Sequence, residues 1–294
     1  MAISEVWQFH RARPLPVGSK TLIMGIVNLT PDSFSGGGKP ALTPDGAALA
    51  ALRMLETGAD IVDFGAESTR PGATVVTPVE EMERLGDVVA RVRARTDAPL
   101  SVDTYHPETA AYVLDQGADF INDVSALDGG WNGEKAGDCP MAAVAAERGA
   151  HLLLTHSPGP PATMQNQPEY GDVVGEVMRF LSERAALAER AGVDRARIWI
   201  DPGFGFGKTF AHNRELLLRL CELRALGYPL AVGLSRKRMI ADALGLPPGE
   251  RLEASLALAV IASLNGAAVV RVHDVKETAR ALGMADAIRC GLGT

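Results

Sequence analysis

Leu22-Ile-Met-Gly-Ile-Val-Asn-Leu-Thr-Pro-Asp32 runs from a β-rich apolar segment straight into a turn of Asn, Thr, Pro and Asp. The apolar part is continuous rather than alternating, as in a strand of a parallel sheet buried on both faces. The turn then decides between two parallel architectures. An open, doubly wound sheet wants a glycine-rich first turn; this one carries polar side chains instead, which favours a closed barrel. Seven more short apolar runs follow, at 61–64, 100–102, 120–121, 152–154, 198–200, 230–234 and 269–272. Helical patterns at 46–57, 78–95, 107–116, 173–191, 213–226 and 252–264 separate most of them. Eight β-then-α units in 294 residues fit a single-domain (β/α)8 TIM barrel. Residues 1–20 read as an N-terminal extension covering the barrel bottom, and 21–294 as the barrel itself.

Composition narrows the class. The chain is 47% hydrophobic and 22% charged, which is globular rather than disordered, and its net charge is −7. An acidic chain with no dense basic run predicts no nucleic-acid partner. Residues 254–270 carry no charge, but Asn265-Gly266 interrupts them, so a buried helix, a turn and a strand are expected rather than a membrane span. Residues 1–14 lack the charged start and apolar run of a signal peptide. The three cysteines, Cys139, Cys221 and Cys290, have neither zinc nor CxxC spacing. Both observations point to the cytoplasm.

In a barrel, chemistry is done at the C-terminal ends of the strands. Those ends carry Asn28, Asp63, Asp103, Asn122 with Asp123, His156, Asp201, Ser235 with Lys237, and Arg271 with His273. Any one such residue is commonly a helix cap; all of them together form a polar mouth. Asp103, Asn122, Asp201 and Lys237 combine two carboxylates, an amide and an ammonium. That set suits a flat heterocycle with both donors and acceptors, such as a 2-amino-4-oxo-pterin. Arg271 and His273 alternate, so they share a face, and with Asn28 they make an anion site. The competing reading pairs Arg271 with Asp274 or a surface Glu. The segment Asp201-Pro-Gly-Phe-Gly-Phe-Gly-Lys-Thr209 ends like a nucleotide-binding loop, but Pro202 stands where that motif needs its first Gly. No nucleophile paired with a base is evident, and His156 and His212 read as structural.

Met24-Gly-Ile-Val-Asn-Leu-Thr-Pro-Asp-Ser-Phe-Ser35, Asp63-Phe-Gly-Ala-Glu-Ser-Thr-Arg-Pro-Gly72, Ser101-Val-Asp-Thr104, Asn122-Asp-Val-Ser125, Asp201-Pro-Gly-Phe-Gly-Phe-Gly-Lys208, Gly233-Leu-Ser-Arg-Lys237 and Arg271-Val-His-Asp274 resemble the signatures of the dihydropteroate synthase family. They lie in order across residues 24–274. The resemblance implies condensation of 6-hydroxymethyl-7,8-dihydropterin diphosphate with 4-aminobenzoate to give dihydropteroate and diphosphate. It implies that Asp103, Asn122, Asp201, Lys237 and Gly233 hold the pterin, and that Asn28, Arg271 and His273 hold the diphosphate. Thr69, Arg70, Pro71, Phe206 and Ser235 are implied to border the aminobenzoate and its loops. Mg2+ is the implied cofactor, with Asn28 as ligand and Asp32 as a second candidate. A homodimer is implied too, with the Ala-rich helix after Leu252 as a candidate surface. Two positions depart from the family pattern: Gly36 stands where Asp is usual, and Ser157 where Met is usual. They motivate one alternative, a pterin-binding paralogue with weak or absent synthase activity. The stretch 128–140 is longer than usual.

Overall fold

Successive residues of a strand face opposite sides, and in this chain that period of two sorts barrel lumen from outer core. The computed structural model describes residues 6–16, 18–30, 43–70, 73, 75–127, 131 and 139–290. A short antiparallel pair, β1 (Val6–Trp7) and β2 (Leu15–Pro16), precedes the barrel strands. These are β3 (Leu22–Asn28), β4 (Ile61–Gly65), β5 (Leu100–Asp103), β6 (Phe120–Asp123), β7 (His151–Thr155), β8 (Ile198–Asp201), β9 (Ala231–Val232) and β10 (Val269–Val272). The helices are α1 (Pro44–Glu56), α2 (Pro78–Leu85), α3 (Val88–Arg93), α4 (Pro107–Asp115), α5 (Pro140–Arg148), α6 (Val173–Arg190), α7 (Phe210–Leu218), α8 (Arg238–Leu244), α9 (Leu252–Leu264) and α10 (Val275–Cys290).

The eight barrel strands pair in parallel in the order β8-β7-β6-β5-β4-β3-β10-β9. The Ile200–Leu230 bridge joins the two ends and closes the ring. This is the expected (β/α)8 barrel. Leu22, Met24, Ile61, Phe120, Leu153, Trp199, Ala231 and Val269 form one cluster that fills the lower lumen, with Trp7 and Leu15 packed against it. Trp7 lies tilted against Trp199, with ring centroids 4.2 Å apart. The alternate residues, such as Val62, Phe64, Val102, Ile121, Leu152 and Leu154, turn outward into the core beneath the helices. Higher up, the lumen positions become polar. Register sets Asn28 beside Gly65, Gly65 beside Asp103, and Asp103 beside Asn122, a single row across four strands.

Several local expectations are corrected. The pattern at 78–95 is two helices, because Gly86 adopts φ +51 and its carbonyl accepts from the Tyr112 hydroxyl and the Gln116 amide instead of continuing the helix. The pattern at 213–226 starts earlier, where Thr209 and His212 form a capping box for α7, and it ends in a 3-10 stretch over Leu220–Leu226. The run at 230–234 supplies only a two-residue strand, β9. The helices α5, α8 and α10 had no counterpart among the patterns read from the sequence. No helix of the described residues is long and apolar enough to cross a membrane.

Candidate active site

The upper lumen opens into a cavity of about 380 Å³ whose wall includes Asn28, Thr69, Arg70, Asp103, Phe206, Gly233, Ser235, Lys237, Arg271 and His273. Asn122 and Asp201, the other two expected pterin ligands, lie buried at the ends of β6 and β8. Pro71, Asp32 and Gly36 fall outside the described residues.

One wall is built from charge. Asp63, fully buried on β4, accepts from Ser101 Oγ at 2.5 Å, Asn122 Nδ2 at 3.3 Å and Arg271 Nε at 2.6 Å. Arg271 Nη2 also donates to Asp103 Oδ2 at 2.7 Å. Burial opposes the guanidinium charge, yet Asp63 and Asp103 hold the Arg271 pKa above its ordinary value. These two bonds use two of its five N–H donors and leave three. Burial pushes the Asp103 carboxyl up to about 7, against the pull of Arg271. The Asn122 Oδ1 is buried and has no hydrogen-bond partner among the described residues, an acceptor with unmet demand in a low-dielectric site.

The opposite wall is backbone held by side chains. Gly203 N–H donates to Asp201 Oδ1 at 2.7 Å, and Gly205 N–H to Asn213 Oδ1 at 2.9 Å. The Gly205 carbonyl accepts from Gln165 Nε2, the Gly207 carbonyl from the Tyr170 hydroxyl, and the Lys208 carbonyl from Asn213 Nδ2. Gly203 and Gly207 sit at φ +69 and +53, pressed against the segment that leaves the end of β7. A Cβ on Gly203 would lie 1.9 Å from the His156 carbonyl oxygen, and one on Gly207 would lie 2.1 Å from Pro158 Cγ. This is why the segment is glycine-rich. On that wall, Lys237 Nζ sits over the Phe206 ring, 4.4 Å from its centroid. Burial lowers the Lys237 ammonium to about 8, with Asp201 pulling the other way.

His273 closes the ring. Its backbone N–H donates to Ser235 Oγ at 3.3 Å, and its Nδ1 is 3.1 Å from the same oxygen. Burial, together with Arg236 and Arg271, lowers the imidazole to about 3, so it is neutral. With the hydroxyl proton given to Nδ1, Nε2–H becomes the ring's donor. Arg236 takes Asp274 through two hydrogen bonds of 3.0 and 2.5 Å. Asp274 is therefore not the partner of Arg271.

The comparisons with known proteins bear on this geometry. A family model described as pterin binding enzyme matches residues 24–273. The dihydropteroate synthase of Neisseria meningitidis serogroup C is 46% identical over 291 residues, 98% of this chain and 99% of that protein. The chain belongs to the dihydropteroate synthase family. Among solved structures, Yersinia pestis dihydropteroate synthase in a sulfonamide drug complex superposes with a TM-score of 0.87 at 40% identity, covering 96% of this chain and 99% of that one. Xanthomonas albilineans dihydropteroate synthase with 4-aminobenzoic acid gives 0.84 at 43% identity, covering 95% and 96%.

Within this dihydropteroate synthase fold, not every polar strand end joins the mouth. Asp123 turns away and ties the following turn, accepting from Ser125 N, Ser125 Oγ and Leu127 N. His156 accepts a hydrogen bond from Lys208, and His212 belongs to the α7 cap. Ser157, in place of the family's Met, is fully buried, donates to the Gly159 carbonyl at 2.7 Å and lies 3.8 Å from Met164 Sδ. Met164 lines the cavity. Asp63 belongs to the polar mouth expected from the sequence but has no ligand role there; the structure makes it the anchor of Asn122 and Arg271. Sequence reasoning passed over Glu67, which accepts from Tyr105 OH at 2.6 Å and Val76 N–H at 3.0 Å and lies 3.0 Å from His106 Nε2. Glu67 thereby anchors the chain on both sides of Thr69 and Arg70. Among the described residues no three His, Cys, Asp or Glu side chains gather into a metal-binding group. Asn28 does offer a hard oxygen at the cavity wall. Mg2+ takes few protein ligands and completes its shell with substrate phosphate oxygens and water, so the Asn28 oxygen would be one ligand beside those of an anionic substrate.

Proposed function

We propose that this chain is a dihydropteroate synthase, a transferase that joins 6-hydroxymethyl-7,8-dihydropterin diphosphate to 4-aminobenzoate with release of diphosphate. One observation carries the site assignment: the unpartnered Asn122 Oδ1 lies in the row with Asp103, in a mouth whose other wall carries Lys237. That arrangement matches the mixed donors and acceptors of a pterin ring. Asp103, Asn122 and Asp201 accept from the ring NH and NH2 groups, Lys237 donates to a ring nitrogen or the carbonyl, and Gly233 leaves room beside them. Asn28, the three remaining N–H groups of Arg271 and the Nε2–H of neutral His273 bind the diphosphate. Thr69, Arg70, Pro71, Phe206 and Ser235 border the aminobenzoate.

In the reaction, the C–O bond to diphosphate breaks, the exocyclic carbon bonds to the aniline nitrogen, and that nitrogen loses its proton. The electron-rich dihydropterin delocalises positive charge on the exocyclic carbon, so no strong base is needed. The residues bind, orient and neutralise charge. Asn28, with Asp32 a second candidate ligand, would hold Mg2+, which would supply further positive charge to the leaving group. Sulfonamides, as aminobenzoate mimics, compete for the Phe206 side of the mouth.

The protein acts as a homodimer. Leu218 on α7, Ile261 and Leu264 on α9, and Met284 and Ile288 on α10 are exposed, and Asn265 at the end of α9 bonds the Leu217 carbonyl of α7. Such an apolar face fits a second copy. Cys221 is a free, exposed thiol, in keeping with a reducing cytoplasm. The test is direct: purified protein with the pterin diphosphate, 4-aminobenzoate and Mg2+ yields dihydropteroate. Intact pterin binding without product would instead identify the non-synthase paralogue.

A further inference from the structure

Lys208 ends the segment that imitates a nucleotide-binding loop, and it is 5% exposed. Its Nζ donates to the Gly203 carbonyl at 2.9 Å and the Phe206 carbonyl at 3.0 Å, and it lies 2.8 Å from His156 Nδ1. Burial lowers the Lys208 ammonium to about 7, with Asp201 pulling the other way; in its protonated form it has three N–H donors, and three acceptors meet them. Burial and the Lys208 charge itself keep His156 neutral, so its Nδ1 lone pair is free to accept. Lys208 is therefore turned inward, with its donors taken up by the protein. It joins the end of β7 to the two carbonyls that bracket Phe204 and Gly205. Phe206, whose carbonyl it holds, is the residue whose ring supports Lys237 Nζ.

We propose that Lys208 is a positioning residue: its ammonium clasps the 203–206 backbone and so fixes the Phe206 ring as a preformed wall for the aromatic amine substrate. This rests on the reading above that Phe206 borders 4-aminobenzoate. The clasp sets that wall before substrate arrives, which lowers the ordering cost of binding.

The test is a double-mutant cycle on the full enzyme with Lys208→Met, which preserves length without charge, and Phe206→Ala. Each single variant is expected to raise KM for 4-aminobenzoate about tenfold. The double variant is expected to be no worse than about tenfold, because both changes act through one element. Additive effects, about a hundredfold in the double variant, would overturn the clasp. So would an unchanged KM in Lys208→Met beside a raised KM in Phe206→Ala. If Phe206→Ala itself leaves KM for 4-aminobenzoate unchanged, the assignment of Phe206 to that substrate falls, and the clasp's role falls with it. Should Lys208→Met fail to fold, Lys208→Gln, a neutral donor, replaces it in the cycle. Failure of both to fold makes Lys208 a folding determinant and overturns the proposal.

Discussion

On the β4–β5–β10 side of the mouth, Asp63, Asp103 and Arg271 hold one another through charge. On the β8 side, the carbonyls of Gly203, Gly205, Phe206, Gly207 and Lys208 are all taken by side chains. The first wall keeps its groups oriented by spending their own hydrogen-bonding capacity on each other, so a ligand must share those contacts. The second wall fixes a backbone surface and leaves Lys237 to face the ligand. A charged wall is therefore costly to break and sensitive to pH. A clamped wall loses little with each bond removed.

The sharpest way to break this contrast is Asp63→Ala. It removes a fully buried carboxylate and leaves Arg271 with one partner, so a loss on the order of 4 kcal/mol in urea unfolding is expected. A loss below about 1 kcal/mol would mean that the charges are not what holds the first wall. Next in size is Lys237→Ala. Pterin affinity, measured by calorimetry, should fall on the order of 100-fold, because the ring loses a charged hydrogen-bond donor inside a buried site; an unchanged affinity would remove Lys237 from the pterin site. The pH profile of pterin binding should be bell-shaped. Asp103, with its carboxyl near 7, binds most strongly as the carboxylate, and Lys237, with its ammonium near 8, donates most strongly while charged. Affinity is thus greatest between those values and falls roughly tenfold per pH unit beyond either. A flat profile from pH 6 to 9 would refute both roles. The smallest effect belongs to the clamped wall. Tyr170→Phe removes the bond to the Gly207 carbonyl, and about 1 kcal/mol of stability should go with it. A loss as large as that of Asp63→Ala would erase the distinction between the walls.

Much of this was legible beforehand, and unevenly so. The eight apolar runs each fall on a barrel strand or, at 230–234, on one shortened to two residues, because continuous β-rich runs are what double-sided burial selects. Asn28, Asp103, Lys237, Arg271 and His273 reach one cavity because strand ends in a barrel have nowhere else to converge. Asp123 shows the limit. It follows Asn122 directly and has the same chemistry, yet one step along a strand turns it to the other face, where it holds a turn. Helix breaks were less legible still: Gly86 ends α2 through bonds to Tyr112 and Gln116, which lie far along the chain.

The sequence by itself determined the barrel, the polar mouth and the family, because burial period and strand-end chemistry are local properties written every few residues. Only the tertiary structure decided which charges meet. Arg271 finds Asp63 and Asp103, 208 and 168 residues away in sequence, and leaves the nearby Asp274 to Arg236. It also decided that Lys208 serves carbonyls and a histidine rather than a phosphate. The physical reason is the same in both cases. The sheet sets β10 beside β3, its first barrel strand, and β8 beside β7, and in a buried site an ion pairs with whatever the closed barrel brings within hydrogen-bonding distance.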